Sequence, residues 1–129
     1  MAYGPDYEIR PRAPGAWPWY IVLCILLAIL NFGLVGMGFW MMANEALMVR
    51  EAQYPPGMAQ LYGMTFVVCG VVFGIGNLVL PFLPKSPWIY ILHMTNIIAA
   101  GLTCLCLPIA IPVFIAWLRP DVREFFSFR

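Results

Sequence analysis

The amino-acid sequence predicts an all-α integral membrane protein with three transmembrane helices. Of its 129 residues, 63% are hydrophobic and 10% are charged, whereas a soluble domain is about 25% charged. The charged residues also leave three long gaps, residues 13–44, 52–84 and 86–118, which contain 32, 33 and 33 residues. Each gap exceeds the roughly 20 apolar residues that a helix needs to cross a bilayer. None is long enough for two full crossings and a turn.

The first helix is predicted over residues 17–53, after an irregular tail over residues 1–16 that is rich in Pro and Gly. Proline has no amide donor and favours extended backbone, which explains the tail. Aromatic residues flank the apolar part of the helix at both ends, as suits the headgroup boundary. Residues 43–53 are rich in strong helix formers, so the helix is expected to extend beyond the membrane, over about 55 Å in all.

The second transmembrane helix is assigned to residues 54–82, after a Pro-Pro-Gly break, and the third to residues 83–118. The turn between them, Leu83-Pro84-Lys85-Ser86-Pro87, is short. The sequence therefore predicts that the second and third helices form a tight antiparallel hairpin. Pro108 and Pro112 lie four residues apart in the third helix, and each removes a main-chain hydrogen bond, which predicts a kink.

Residues 119–129 are predicted to be a short interfacial C-terminal segment. Pro120 suits the first turn of a helix, and Asp121 favours its positive end. Phe125 and Phe126 are expected to rest on the membrane surface.

Three crossings place the two ends of the chain on opposite sides of the membrane. The seven basic residues then divide as three and four: Arg10, Arg12 and Lys85 on one side, and Arg50, Arg119, Arg123 and Arg129 on the other. This small excess favours a cytoplasmic C-terminus, because cytoplasmic loops carry more Lys and Arg. The predicted location is therefore multi-pass in the membrane, with the C-terminus in the cytoplasm.

Three asparagines and the only histidine fall inside the membrane-crossing parts of the predicted helices: Asn31, Asn77, Asn96 and His93. Polar groups in lipid are costly, which makes them the first candidates for function. In the favoured interpretation they hydrogen-bond between helices, at about 0.6–2 kcal/mol each, and no cofactor is needed. In the alternative, neutral His93 is the axial ligand of a haem or a bacteriochlorophyll-type pigment.

Glycine patterns predict close helix packing. Gly70 and Gly74 form a G-x-x-x-G pattern, and Gly33 and Gly36 give the first helix a face of small residues. Small residues at this spacing let helices approach closely in lipid. The pattern leaves open whether the neighbouring helix belongs to the same chain or to another subunit.

Several function classes are disfavoured. No Asp, Glu, Lys or Arg lies within the membrane-crossing parts of the predicted helices, which argues against a proton relay or ion coupling. No Ser-His-Asp set is available for catalysis, and the four cysteines do not have the spacing of a metal site. Nucleic-acid binding needs clustered basic residues that contact the phosphates, and a formal charge of +1 does not indicate such a cluster. We therefore expect neither an enzyme nor a nucleic-acid-binding protein.

These features favour a small non-catalytic accessory or structural subunit of a larger membrane complex, such as a respiratory or photosynthetic one. Its expected partners are the lipid bilayer and other membrane subunits, and a homo-oligomer fits the same glycine faces. Two alternatives stay open. One is a pigment- or haem-binding subunit centred on His93, and the other is a small homo-oligomeric pore or transporter that uses Asn31, Asn77 and the kinked third helix.

Overall fold

The computed structural model describes residues 13–103 and 105–127, and every regular element within these ranges is helical. Residues 1–12 of the predicted tail, Cys104 and the last two residues lie outside the described part. The elements are α1 (Trp17–Ala43), α2 (Glu45–Glu51), α3 (Met58–Val79) with a 3-10 turn (Leu80–Phe82), α4 (Pro87–Leu102), α5 (Leu107–Trp117) and α6 (Pro120–Ser127). Two stretches are long and apolar enough to cross a membrane: α1, with 27 residues, and α3 with its 3-10 turn, with 25.

The segment predicted as one helix over residues 17–53 is divided at Asn44. Its backbone leaves the helical region, with φ −112° and ψ 29°, and its side-chain amide donates to the Trp40 carbonyl at 2.8 Å. Such local side-chain bonds compete with the helical ladder. After α2 the chain reverses through Gln53, with φ 54°, and Gly57, with φ 84°. Because a positive φ is open to glycine without steric cost, Gly57 suits the start of α3.

α1 and α3 run antiparallel and pack together along most of their length. Gly38 lies against Gly63 near one end of the contact, and Gly70 lies against Asn31 and Val35 further along. At Gly70 the two backbones are so close that an added Cβ would lie 2.5 Å from the Asn31 carbonyl oxygen. The glycines therefore set the distance between the two helices.

The third apolar run is not one kinked helix. The Tyr90 hydroxyl, near the start of α4, donates to the carbonyl oxygen of Trp117, the last residue of α5, at 2.9 Å. A continuous helix would separate these residues by about 40 Å, so the chain reverses between Leu102 and Leu107. α4 and α5 form an antiparallel helical hairpin with its two open ends side by side. This corrects the prediction of a tight turn and one kinked helix over residues 83–118.

The two prolines of this run take different places from those expected of a kink. Pro108 lies in the first turn of α5, where a missing N–H breaks no helical bond. Pro112 lies inside α5 and leaves the Pro108 carbonyl without its usual donor. Pro108 therefore helps to start a new helix after the reversal.

The tight pairing predicted for the second and third helices is limited to a point contact. α4 packs mainly against α5, and it meets α3 where the Asn96 amide donates to the Asn77 side-chain oxygen at 2.9 Å. The predicted hairpin is therefore replaced by one between α4 and α5.

The buried core lies at the end of the molecule where α1 starts, α5 ends and α6 crosses them. Trp117, Tyr20 and Phe126 are among its largest fully buried side chains. Phe125 is buried as well, and the Lys85 ammonium lies 4.0 Å from the centre of its ring. The two phenylalanines of α6 thus hold this helix against the core, which corrects the expectation that they rest on a membrane surface.

Candidate functional site

Five side chains from three helices form a group that we call the polar junction: Tyr20, Cys24, Asn77, His93 and Asn96. His93 Nδ1 lies 2.5 Å from the Tyr20 hydroxyl. The Asn96 amide donates to Asn77 at 2.9 Å and lies 3.7 Å from the Cys24 sulfur. The junction therefore fastens α4 to both α1 and α3.

Helical spacing explains why these side chains meet. Tyr20 and Cys24 are four residues apart on α1, and His93 and Asn96 are three apart on α4, so each pair shares one helix face. The faces meet with His93 opposite Tyr20 and Asn96 opposite Cys24. Asn77 joins from α3, and its own amide donates back to the Phe73 carbonyl at 2.8 Å.

His93 is fully buried and surrounded by aromatic rings. The distances between its ring centre and theirs are 4.8 Å for Tyr20, 5.2 Å for Phe126, 5.9 Å for Trp17 and 6.1 Å for Trp117. These rings occupy the space that a macrocycle would need beside the imidazole. In this arrangement the residues around His93 do not fit an axially bound haem or pigment.

Two buried nitrogen atoms near the junction have no hydrogen-bond partner in the described part of the chain: His93 Nε2 and Trp117 Nε1. An unpaired buried donor or acceptor costs about 1–3 kcal/mol. The Tyr20 hydroxyl is thus the one partner that the structure gives to the His93 ring.

The chain matches no protein-family model, no curated protein and no solved structure. Its site must therefore be interpreted from its own geometry. Within residues 13–103 and 105–127, no three His, Cys, Asp or Glu side chains come together as a metal-binding group. Cys24, Cys69 and Cys106 are free thiols.

Asn31 does not join the polar junction. Its amide donates to the Leu27 carbonyl of its own helix at 2.7 Å. Its main-chain oxygen would lie 2.5 Å from a Cβ added at Gly70 of α3. Asn31 therefore contributes to the α1–α3 contact through its backbone.

The four glycines singled out in the sequence divide into two pairs. Gly70 and Gly74 face α1, where Gly74 lies against the Phe32 ring. Gly33 and Gly36 are exposed, and a Cβ added at either would meet nothing within 4 Å among the described residues. Packing through Gly33 and Gly36 stays a prediction, since none of the described helices covers them.

Sequence reasoning missed two important positions, Gly63 and Tyr20. Gly63 makes a backbone contact with Gly38 as close as that of Gly70, and the seven-residue spacing from Gly63 to Gly70 was the available signal. Tyr20 was interpreted as an aromatic residue of the headgroup boundary. The single histidine within the apolar runs was the available signal, because a buried histidine needs a hydrogen-bond partner such as the Tyr20 hydroxyl.

Proposed function

We propose that the chain is a multi-pass membrane protein in which α1 and α3 cross the bilayer and the α4–α5 hairpin enters and leaves from one side. The lengths and apolar surfaces of α1 and α3 support the two crossings. α4 has 16 residues, which extend about 24 Å, less than the roughly 30 Å of the hydrocarbon core. The hairpin is therefore re-entrant.

The distribution of charge supports this arrangement. With two crossings and a re-entrant hairpin, six of the seven basic residues lie on the side where α1 starts and α5 ends: Arg10, Arg12, Lys85, Arg119, Arg123 and Arg129. Only Arg50 lies on the other side. Six against one is a strong bias, whereas three continuous crossings give three against four. By the positive-inside rule, the segments before α1 and after α5 are cytoplasmic.

We propose further that the protein is a non-catalytic accessory or structural subunit of a larger membrane complex. The tip of the α4–α5 hairpin carries this proposal. Thr103, Leu105 and Cys106 at the tip lie in turns outside the helices, and Leu102 and Leu105 are 80% and 76% exposed. Irregular backbone at membrane depth is tolerated only where protein or a water-filled cavity covers it. A neighbouring subunit that covers the tip would meet this requirement.

The polar junction supports a structural role over a catalytic one. Its side chains bind one another across helices, and His93 faces aromatic rings. The open face at Gly33 and Gly36, between Ile29 and Trp40, gives a second surface on which another helix can approach closely. The proposed partners are thus the bilayer and other membrane helices.

Photo-crosslinking in the native membrane tests the subunit proposal. A photoreactive residue replaces Leu105 at the tip, and a matched one replaces Val72, which is 60% exposed in the middle of α3. We expect Leu105 to give one discrete protein adduct and Val72 to give mainly lipid adducts. A Leu105→Lys variant should then migrate as the chain alone after mild detergent extraction, while the wild type migrates with its partner. A wild type that migrates alone contradicts the proposal.

The homo-oligomeric pore is the second candidate, because a water-filled cavity also satisfies irregular backbone at membrane depth. Differently tagged copies that co-purify, together with solute flux in liposomes that Leu105→Lys alters, would favour the pore over the accessory subunit. The haem or pigment alternative predicts a visible absorption band that disappears in His93→Ala. A colourless protein rejects that alternative.

A further inference from the structure

A groove of about 500 Å³ lies between the start of α1, one face of α5 and α6. Its volume is in the range of small-molecule sites, which is about 300–1,000 Å³. Pro108, Pro112 and Ala116 form its wall on α5, and Trp19 borders it on α1. The wall is apolar along its length, whereas the charged lining residues Arg119 and Asp121 come just after the end of α5, and we call that end of the groove its mouth.

The groove has the length of one bilayer leaflet. From Arg119 at the mouth to Pro108 at the far end, the chain covers eleven residues, mostly helical. At 1.5 Å per residue this is about 16 Å, and half of a 30 Å hydrocarbon core is about 15 Å. Since the mouth lies at the end of α5 that carries the charges, the groove runs from the membrane surface to its middle.

The two charges at the mouth are opposite in sign and exposed. Within the described part of the chain, neither the Arg119 nor the Asp121 side chain has a hydrogen bond or an ion pair. A guanidinium matches a phosphate with two parallel N–H donors. A carboxylate accepts hydrogen bonds from a primary ammonium.

We propose that this groove binds one zwitterionic phospholipid with a primary ammonium, of the phosphatidylethanolamine type. One acyl chain lies along α5, the phosphate lies on Arg119 and the ammonium on Asp121. An anionic phospholipid is repelled by Asp121, and a choline headgroup has no N–H to donate to this carboxylate. The site is separate from the hairpin tip, and it does not depend on which subunit covers that tip.

Tryptophan fluorescence gives a direct test, because Trp19 lines the groove. Trp40 and Trp88 are 52% and 78% exposed, so a Trp40→Phe/Trp88→Phe background removes the other two strongly exposed indoles. The full chain is reconstituted in phosphatidylcholine vesicles with a low, fixed fraction of brominated phosphatidylethanolamine, phosphatidylcholine or phosphatidylglycerol. We expect the apparent affinity derived from Trp19 quenching to be about fivefold higher for the ethanolamine lipid than for the choline lipid. A factor of this size corresponds to one charge contact at the membrane surface.

Two surface substitutions separate the headgroup contacts. Arg119→Gln should reduce the affinity for the ethanolamine lipid about fivefold, and Asp121→Asn should shift the preference to phosphatidylglycerol. Arg50→Gln, on the opposite end of the molecule, is the matched control and should change nothing. Ala116→Leu, which fills the groove, should abolish the selective quenching without moving α6.

Three outcomes overturn the proposal. Equal quenching by the ethanolamine and choline lipids means that the groove has no headgroup preference. Stronger quenching by phosphatidylglycerol in the wild type rejects the role of Asp121. The lipid selectivity could also be absent in the full chain and appear only after removal of residues 1–12. That result would mean that this segment of the chain, and not a lipid, occupies the groove.

Discussion

The Tyr90 hydroxyl donates a hydrogen bond to the main-chain oxygen of Trp117 at 2.9 Å. The last four carbonyls of a helix have no donor within that helix, and this bond supplies one of them from the neighbouring helix. It also joins the two open ends of the α4–α5 hairpin and holds them at the same level. The apolar run over residues 86–118 therefore begins and ends at one end of the molecule.

We predict from this arrangement that the segments before α1 and after α5 lie on the same side of the membrane. Reporter tags at the two ends should both be accessible from the cytoplasmic face of sealed vesicles. A tag inserted in the turn at Pro55 should be accessible only from the opposite face. Terminal tags on opposite sides would mean that the third apolar run crosses the bilayer once.

The sequence pattern predicts the helical class and the first two long helices, but it could not predict the reversal in the third run. A re-entrant hairpin and a single crossing both need about thirty uncharged residues, so composition does not distinguish them. Pro108 fits both a kink and the first turn of a new helix. What decides between them is the contact of Tyr90 with Trp117, between residues 27 positions apart in the sequence.

The polar junction was predictable only in part, for a similar reason. Counting residues from the turn at Lys85 places Asn77 level with His93, but Asn77 bonds to Asn96, one turn further along α4. The partner of His93 is Tyr20 of α1, and no spacing within α3 or α4 contains that information. Which helix faces α4 depends on the glycine contacts that bring α1 against α3.

Substitution at Gly70 should separate α1 from α3. In Gly70→Ala, the new Cβ would lie 2.5 Å from the Asn31 carbonyl oxygen and 2.7 Å from Val35 Cγ2. The first of these is a backbone atom, so the helices themselves must move, and overpacking of this kind costs about 1–3 kcal/mol. The free energy of unfolding in detergent micelles, from denaturant titration followed by circular dichroism, measures the loss.

Gly76→Ala is the matched control for this prediction. Gly76 lies in the same helix, and a Cβ added there meets nothing within 4 Å in the described structure. Alanine also favours a helix over glycine, so stability should stay the same or rise slightly. Equal losses at Gly70 and Gly76 would contradict the close α1–α3 contact.

The Asn77–Asn96 pair should contribute a measurable coupling energy. A double-mutant cycle with Asn77→Ala, Asn96→Ala and the double variant isolates this pair, because each substitution removes the same bond. We expect a coupling of about 0.6 kcal/mol and at most about 1.7 kcal/mol, as for other hydrogen bonds between membrane helices. Asn31→Ala combined with Asn96→Ala should be additive, since the Asn31 amide donates within α1, to the Leu27 carbonyl. Coupling in the control pair, or none in the tested pair, would reject the assignment.

Removal of the Tyr20 hydroxyl should destabilise the protein more than the small size of this group suggests. In Tyr20→Phe the ring still packs, but His93 Nδ1 loses the Tyr20 hydroxyl, so neither nitrogen of the buried imidazole keeps a partner in the described structure. An unsatisfied buried group costs about 1–3 kcal/mol, whereas replacing both partners by apolar groups is close to neutral. We therefore expect Tyr20→Phe/His93→Leu to be more stable than Tyr20→Phe alone in denaturant titrations. Tyr54→Phe, far from the junction, serves as the control and should have no effect. A double variant that is less stable than the single one would mean that His93 finds another partner, and the Tyr20–His93 bond would then not be what holds α4 to α1.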